Sequence, residues 1–174
     1  MTRNYKIIII IIFGLSIFFV LLKGLNNSNK YSSEKIYNKI DLNIAMKSLF
    51  DEEDFTIKEL INEDGIFLIN IWSSWCVPCR EEHLYLMQLK DENLEIIGIN
   101  YKDKKNNAKN FIQDMGNPYK KILIDNDGTN SIEFGAIGVP ETYLIKRSTS
   151  IMVKKYIGAL DQQKFDEIIK IIEQ

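Results

Sequence analysis

The sequence predicts an α/β domain behind an N-terminal membrane anchor, and three observations carry that expectation. From Ile66 onward, apolar runs of strand length alternate with stretches of helical period. Two further strand-like runs, 142–145 and 151–156, are separated only by a turn at 146–150, which is a hairpin pattern. Residues 7–22 form an uncharged apolar stretch set between Lys6 and Lys23.

The anchor comes first in the chain. About sixteen apolar residues fall slightly short of the ~20 that span a bilayer squarely, and Lys6 and Lys23 can reach outward to the two surfaces to make up the difference. The run is apolar all round, with no polar face to turn to water as a core helix would have. No small-x-small site follows it, which favours an uncleaved anchor over a cleaved signal. Arg3 and Lys6 hold the N-terminus inside, so the rest of the chain is exported. Residues 24–35, rich in Asn, Ser and Lys, read as a tether. The organisation is therefore anchor 1–23, linker 24–35 and domain 36–174.

Within the domain, 36–50 is irregular with a short strand at 48–50. Thr56 and Glu59 form a capping box that starts a short helix ending near Asn62, and Asp64-Gly65 turns the chain. Ile66–Trp72 is broken only by Asn70 and suits a central strand covered on both faces. A helix follows from Pro78, whose missing N–H costs nothing in a first turn, to about Lys90. Residues 95–100 make a second buried strand. Asp103 caps a helix in which Ala108, Phe111, Ile112 and Met115 recur at helical spacing; Gly116 ends it and Pro118 prevents its continuation. A third strand at 122–124, a turn at 125–128 and a helical turn at 131–134 precede the hairpin. Asp161 caps a last helix with Phe165, Ile168, Ile169 and Ile172 on one face.

Everything else is arranged around Trp75-Cys76-Val77-Pro78-Cys79. Its two cysteines are the only ones in the chain. A strand leads into the pair and a helix leads out, the setting in which Cys-x-x-Cys reads as a redox dithiol. At a helix N-terminus the first sulfur meets unpaired N–H groups and the positive end of the dipole, which favour thiolate. Cys76 is accordingly the attacking sulfur, and Cys79, one turn in and more buried, is the resolving one. Half a zinc site is the first alternative, but zinc wants four ligands and His83 is the only histidine. A structural disulfide is the second, but a bridge closing so short a loop removes little chain entropy. A net charge of −2 leaves no basic field for nucleic acid.

Trp75-Cys76-x-x-Cys79 at a strand–helix junction, with Pro140 directly before a strand, resembles the thioredoxin fold, a central mixed sheet flanked by helices. The resemblance implies that Pro140 is cis and lies against the dithiol. Four further segments narrow it: Cys79-Arg80-Glu81-Glu82-His83; Gly98-Ile99-Asn100-Tyr101-Lys102-Asp103; Gly116-Asn117-Pro118-Tyr119; and Gly135-x-x-Gly138-x-Pro140-Glu141-Thr142. Over about residues 50–158 they resemble the DsbE/CcmG family, membrane-anchored thiol reductases of bacterial cytochrome c maturation. Val77 between the cysteines departs from the polar or small residues also used there, which leaves the redox potential open.

That resemblance implies a periplasmic reductase, held in the inner membrane, that acts on the haem-binding Cys-x-x-Cys-His segment of apocytochrome c, directly or through a partner thiol protein. Electrons come from a membrane thiol transporter. The redox group is the Cys76–Cys79 pair itself, with no other cofactor and no metal. A buried Cys79 needs a proton acceptor. Ordinary thioredoxins have a buried Asp on the preceding strand, where this chain has Asn70. Glu82, three residues after Cys79 on one helix face, and Glu141, after Pro140, are the candidates, and the resemblance points to the same two. Burial of both raises their pKa values and poises one as a base. The alternatives are a solvated helix residue and a turn carboxylate. His83 reads as a surface helix residue rather than a proton relay, and Arg80 either supports the Cys76 thiolate or is solvated. Trp75 flanks the nucleophile and reads as a client contact, and the Val139 backbone beside Pro140 can pair with an extended client as an added strand. Two rivals remain. A general oxidant of exported proteins carries a larger inserted helical domain than 102–116 allows. A copper carrier uses Cys-x-x-x-Cys with a distant His, and His83 lies too close.

Overall fold

A computed structural model describes residues 2–26, 39–51, 53–61 and 65–173. The chain divides into Met1–Ile36 and Tyr37–Gln174. In the first unit, helix α1 (Thr2–Asn26) carries the apolar run, and its large apolar side chains from Ile8 to Leu22 are exposed. Among the described residues no helix is long and apolar enough to cross a membrane. The tether expected at 24–35 lies, from residue 27 on, outside the described residues.

The second unit is a thioredoxin-like α/β fold. Seven strands, β1 (Ala45–Ser48), β2 (Asp54–Thr56), β3 (Ile66–Trp72), β4 (Ile96–Tyr101), β5 (Lys121–Asp125), β6 (Glu141–Lys146) and β7 (Ile151–Ile157), form one sheet in the order β2-β1-β5-β4-β3-β6-β7. β3, β4 and β5 run parallel, and β6, β7, β1 and β2 join antiparallel, so the sheet is mixed. Five helices complete the unit: α2 (Ile57–Leu60), α3 (Val77–Asp91), α4 (Lys105–Met115), α5 (Thr129–Glu133) and α6 (Gln162–Ile172).

The period-two alternation of the strands sorts the core into two halves. Leu68, Trp72 and Leu144 face a cluster built with Leu86 and Leu89 of α3, Phe111 and Ile112 of α4 and Ile168 of α6. Phe67, Ile69, Ile71, Tyr143 and Ile145 face the other way, with Ile57 and Leu60 of α2. Burial on both faces explains why β3 reads as an apolar run interrupted only by Asn70, each apolar side chain contributing roughly 1.5–3 kcal/mol.

Local signals account for several ends. Thr56 and Glu59 make the capping box at α2, with Thr56 N donating to Glu59 Oε2 at 2.9 Å. Asp161 accepts from Lys164 N at 2.9 Å and caps α6. The expected end of α2 near Asn62 and the Asp64 turn lie outside the described residues, and the helix stops at Leu60. Two expectations are corrected. The strand expected at 48–50 lies at Ala45–Ser48 and pairs with a second short strand, β2, that the sequence does not announce. Lys104, not Asp103, is the N-cap of α4, and its ammonium, which only donates, makes no side-chain cap bond; the Asp103 carboxylate is instead turned toward Ser74.

Gly98 on β4 marks the tightest approach in the core. A Cβ there would lie 2.9 Å from ring atoms of Tyr119 and 3.0 Å from Trp72 Nε1. Tyr119 stacks on Trp72 with ring centroids 5.6 Å apart, and Trp72 meets Phe111 at 4.9 Å. All three rings are buried, so none can swing aside. Gly98→Ala is expected to cost about 1–3 kcal/mol in urea unfolding of the oxidised protein, as overpacking does; an unchanged midpoint would show that the rings yield.

Candidate functional site

β3 delivers the chain to Ser73, Ser74 and Trp75, and α3 begins immediately after. Cys76 is the N-cap of α3, with its sulfur accepting the Cys79 N–H at 3.2 Å, and Pro78 falls in the first turn. Cys76 and Cys79 are joined in a disulfide with Cα atoms 5.3 Å apart. A reduced Cys76 at this place has a backbone donor and fifteen aligned peptide dipoles favouring the thiolate. The expected contrast in burial is slight: Cys76 is 4% exposed and Cys79 2%. Exposure belongs instead to the apolar residues on either side of Cys76 in the chain, Trp75 at 57% and Val77 at 65%.

The loop that carries the dithiol is held by the one after β4. Ser74 donates through its N–H and its hydroxyl to the two Asp103 carboxylate oxygens, at 2.6 and 2.8 Å. Asn100 Nδ2 donates to Asp103 Oδ2 at 3.0 Å, and the Ser73 hydroxyl donates to the Tyr101 carbonyl. Trp75 Nε1 donates to the Lys102 carbonyl at 3.0 Å, which fixes the exposed indole. Arg80 lies over the Phe111 ring at 4.8 Å and donates to the Ser74 carbonyl at 3.3 Å and to Met115 Sδ at 3.6 Å.

Glu82, one turn beyond Cys79, is fully buried. Its Oε1 accepts from Asn70 Nδ2 at 2.8 Å and its Oε2 from the Leu160 N–H at 2.9 Å. Burial raises its pKa to about 7, against the pull of the Leu160 and Asn70 donors and the Lys164 charge, which lower it. Asn70 Nδ2 also donates to Thr142 Oγ1 at 3.0 Å, and the Tyr119 hydroxyl donates to Asn70 Oδ1 at 2.9 Å.

Glu141 is buried too, but in different company. Its Oε1 accepts from the N–H groups of Ile137 and Gly138 at 2.9 and 3.1 Å, and its Oε2 accepts from the Tyr143 hydroxyl at 2.7 Å and pairs with Lys155 Nζ at 2.9 Å. Lys155 also donates to the Gly135 carbonyl at 2.8 Å. Glu141 shares its sheet face with Tyr143, opposite the face that bears Thr142 and α3. The structure thus separates the two glutamates that the sequence places together: Glu82 sits behind the dithiol, and Glu141 fastens 135–138 ahead of Pro140. The Val139–Pro140 peptide is cis, with Pro140 buried and Val139 half-buried.

His83 is corrected outright. It is 2% exposed, with Nε2 3.1 Å from the Gly116 carbonyl and its ring edge-on to Phe111 at 5.2 Å, and burial lowers its pKa. Sequence reasoning also missed Tyr119, Asp103 and Lys155 as parts of the site. Tyr119 and Asp103 stood in motifs quoted above, but only their long-range partners give them a task.

Residues 45–170 match the family model described as Redoxin. The thiol:disulfide interchange protein DsbE of Pasteurella multocida is 38% identical over 130 residues, covering 75% of this chain and 71% of that protein. Its namesake from Escherichia coli strain K12 is 34% identical over 125 residues, covering 72% and 67%. Among solved structures, a DsbF homologue from Corynebacterium diphtheriae superimposes with a TM-score of 0.63 at 24% identity, covering 75% of this chain and 82% of that one, a likeness of fold.

Two expectations follow from the carboxylates. The folded protein keeps a proton on Glu82 up to about pH 7, whereas the unfolded chain releases it near pH 4.5. The proton-linked stability is therefore full below about pH 4.5 and is lost as pH rises to about 7, by about 3 kcal/mol in all. Glu82→Gln should abolish that slope in oxidised protein followed by urea unfolding; a slope of the same size in the variant would assign it elsewhere. Glu141→Ala strands two backbone donors, a buried hydroxyl and Lys155, and should cost about 2–4 kcal/mol. Hydrogen exchange at the Ile137 and Gly138 amides should quicken with it, and unchanged exchange there would count against the clamp.

Proposed function

The chain belongs to the redoxin family and, within it, to the thiol:disulfide interchange proteins of the DsbE type; from that premise we propose that it is a periplasmic thiol reductase. It is held in the inner membrane by residues 1–23 and serves cytochrome c maturation. Its client is the disulfide of the haem-binding Cys-x-x-Cys-His segment in apocytochrome c, or of a partner thiol protein that acts on that segment. Its reductant is a membrane thiol transporter, and its own redox group is the Cys76–Cys79 pair.

The observation that carries this reading is the Cys76 sulfur, which accepts the Cys79 N–H at the start of α3 while Glu82 lies buried one turn further on. In the reduced protein the Cys76 thiolate attacks one client sulfur, a mixed disulfide forms and the other client sulfur leaves as thiolate. Glu82 takes the proton of Cys79. The Cys79 thiolate then attacks Cys76 Sγ, the second client sulfur leaves, and the Cys76–Cys79 disulfide is restored. Two electrons pass to the client, and the transporter replaces them by the same exchange in reverse.

Trp75 and Val77 offer an apolar rim beside Cys76, and Val139 with cis Pro140 offers a backbone edge for an extended client. Glu141 acts in this scheme on the client loop rather than on the proton. The rival reading as a general oxidant finds little support between β4 and β5, where α4 is the only helix.

The reduction potential separates the two readings. It is expected near thioredoxin's roughly −270 mV, and a value near the roughly −120 mV of a strong oxidant would overturn the reductase reading. Cys79→Ala should hold its client as a mixed disulfide on Cys76. Capture from the periplasm of neither a haem-attachment segment nor a partner thiol protein would end the cytochrome assignment.

A further inference from the structure

Glu82 is reached by a chain of side chains that the reaction scheme leaves unused. Tyr119 stands at its far end. The phenol ring is clamped between Trp72, on which it stacks at 11° and 5.6 Å, and the bare backbone of Gly98. Its N–H donates to Asn117 Oδ1 at 3.0 Å, which fixes the main chain as well. The hydroxyl can therefore hardly move, and it points at Asn70 Oδ1, 2.9 Å away. Burial first, and the Glu82 charge second, push the phenol well above its ordinary pKa, so it is a donor at any working pH.

We propose that Tyr119 is a positioning residue for proton transfer at Cys79: its hydroxyl fixes the Asn70 amide so that the NH2 end, not the carbonyl, faces Glu82. This rests on the reading of Glu82 as proton acceptor. An amide has one accepting and one donating end, and a carboxylate only accepts. With Oδ1 taken by Tyr119, the two amide hydrogens fall to Glu82 Oε1 and Thr142 Oγ1. Reversing the amide would set its carbonyl against Glu82, an arrangement that suits only a protonated carboxyl. It would also turn the NH2 group onto the Tyr119 donor. Tyr119 thus biases a buried two-way switch toward the form that leaves Glu82 free to accept the Cys79 proton.

The other groups that bear on Glu82 are few among the described residues. Lys164 of α6 acts through its charge, with its ammonium donating to the carbonyls of Ile157 and Ala159 at 3.3 and 2.5 Å. The 157–160 segment supplies the Leu160 N–H, β3 and β6 supply neutral Asn70 and Thr142, and α3 itself supplies Cys79. Tyr119 is the member whose removal alters the direction of the amide while leaving every direct partner of Glu82 in place.

The test reads Glu82 itself. In oxidised full-length protein carrying carboxyl-labelled glutamate, the Glu82 resonance is assigned by its loss in Glu82→Gln and titrated by NMR. Tyr119→Phe keeps the ring and removes the donor. It should move the Glu82 midpoint up by about one pH unit, a tenfold change in ionised fraction below the midpoint. A chain with 3-fluorotyrosine at position 119, a stronger donor of nearly the same shape, should move it down. An unmoved midpoint, or one that shifts downward in Tyr119→Phe, overturns the proposal; if that variant does not fold, the fluorotyrosine protein decides by the same criterion. In parallel, release of a model peptide thiol from a mixed disulfide on Cys76 is timed against pH. Wild-type release should follow the Glu82 titration, Tyr119→Phe should be about tenfold slower below the midpoint, and Glu82→Gln should be slow and flat. A Glu82→Gln profile like wild type would overturn the reading of Glu82, whereas a flat Glu82→Gln profile with unmoved Tyr119→Phe would sink only the role of Tyr119.

Discussion

A carboxylate sealed from water holds the reactive end of this molecule together. Glu82 of α3 binds Asn70 of β3 through one oxygen and the Leu160 N–H, between β7 and α6, through the other. Removing a charge from water costs several kcal/mol, which directed donors and the Lys164 charge only partly offset. The remainder is what lifts the group toward neutrality. Burial of Glu82 beneath α3 thus raises its proton affinity, and the same two hydrogen bonds that tie α3 to the sheet pull it back down.

The alternation of β6 divides labour between neighbouring residues. Thr142 turns toward α3 and joins Asn70 and Glu82. Glu141 turns the other way and joins Tyr143 and Lys155, bracing 135–138 through their backbone. Cis Pro140 stands just before both. In the proposed function, proton chemistry and client docking would be supported from opposite faces of one sheet. A strand whose side chains alternate can serve two tasks within a single peptide step.

Much of this was legible in the chain. The dithiol, the strand before it and the helix after it are local features, set by a repeat of two or 3.6 residues and by a proline that suits a first turn. The capping box at Thr56 and the cap at Asp161 are local in the same way. Where the reading failed, the decisive partner was distant in sequence. β1 and β2 are too short to carry a pattern, and β1 is held in the sheet by β5. His83 lies on the inward stripe of α3, four residues after Cys79 and three before Leu86, and its polarity hid a place that Phe111 of α4 and the Gly116 carbonyl complete. Asp103 has the look of a cap until Ser74 offers it two better donors.

By itself, then, the sequence determined that two cysteines would sit at a strand–helix junction, the first where backbone N–H groups favour its thiolate. It also determined that Glu82 would follow one turn later on the same helix. Only the tertiary structure decided that Glu82 is the glutamate buried against Asn70 and the Leu160 N–H, whose hydrogen bonds work against the burial that raises its pKa. The reason is physical: helix phase and strand phase are properties of neighbours in the chain. A buried charge takes its properties from whatever groups the fold brings within hydrogen-bond reach, wherever in the chain they come from.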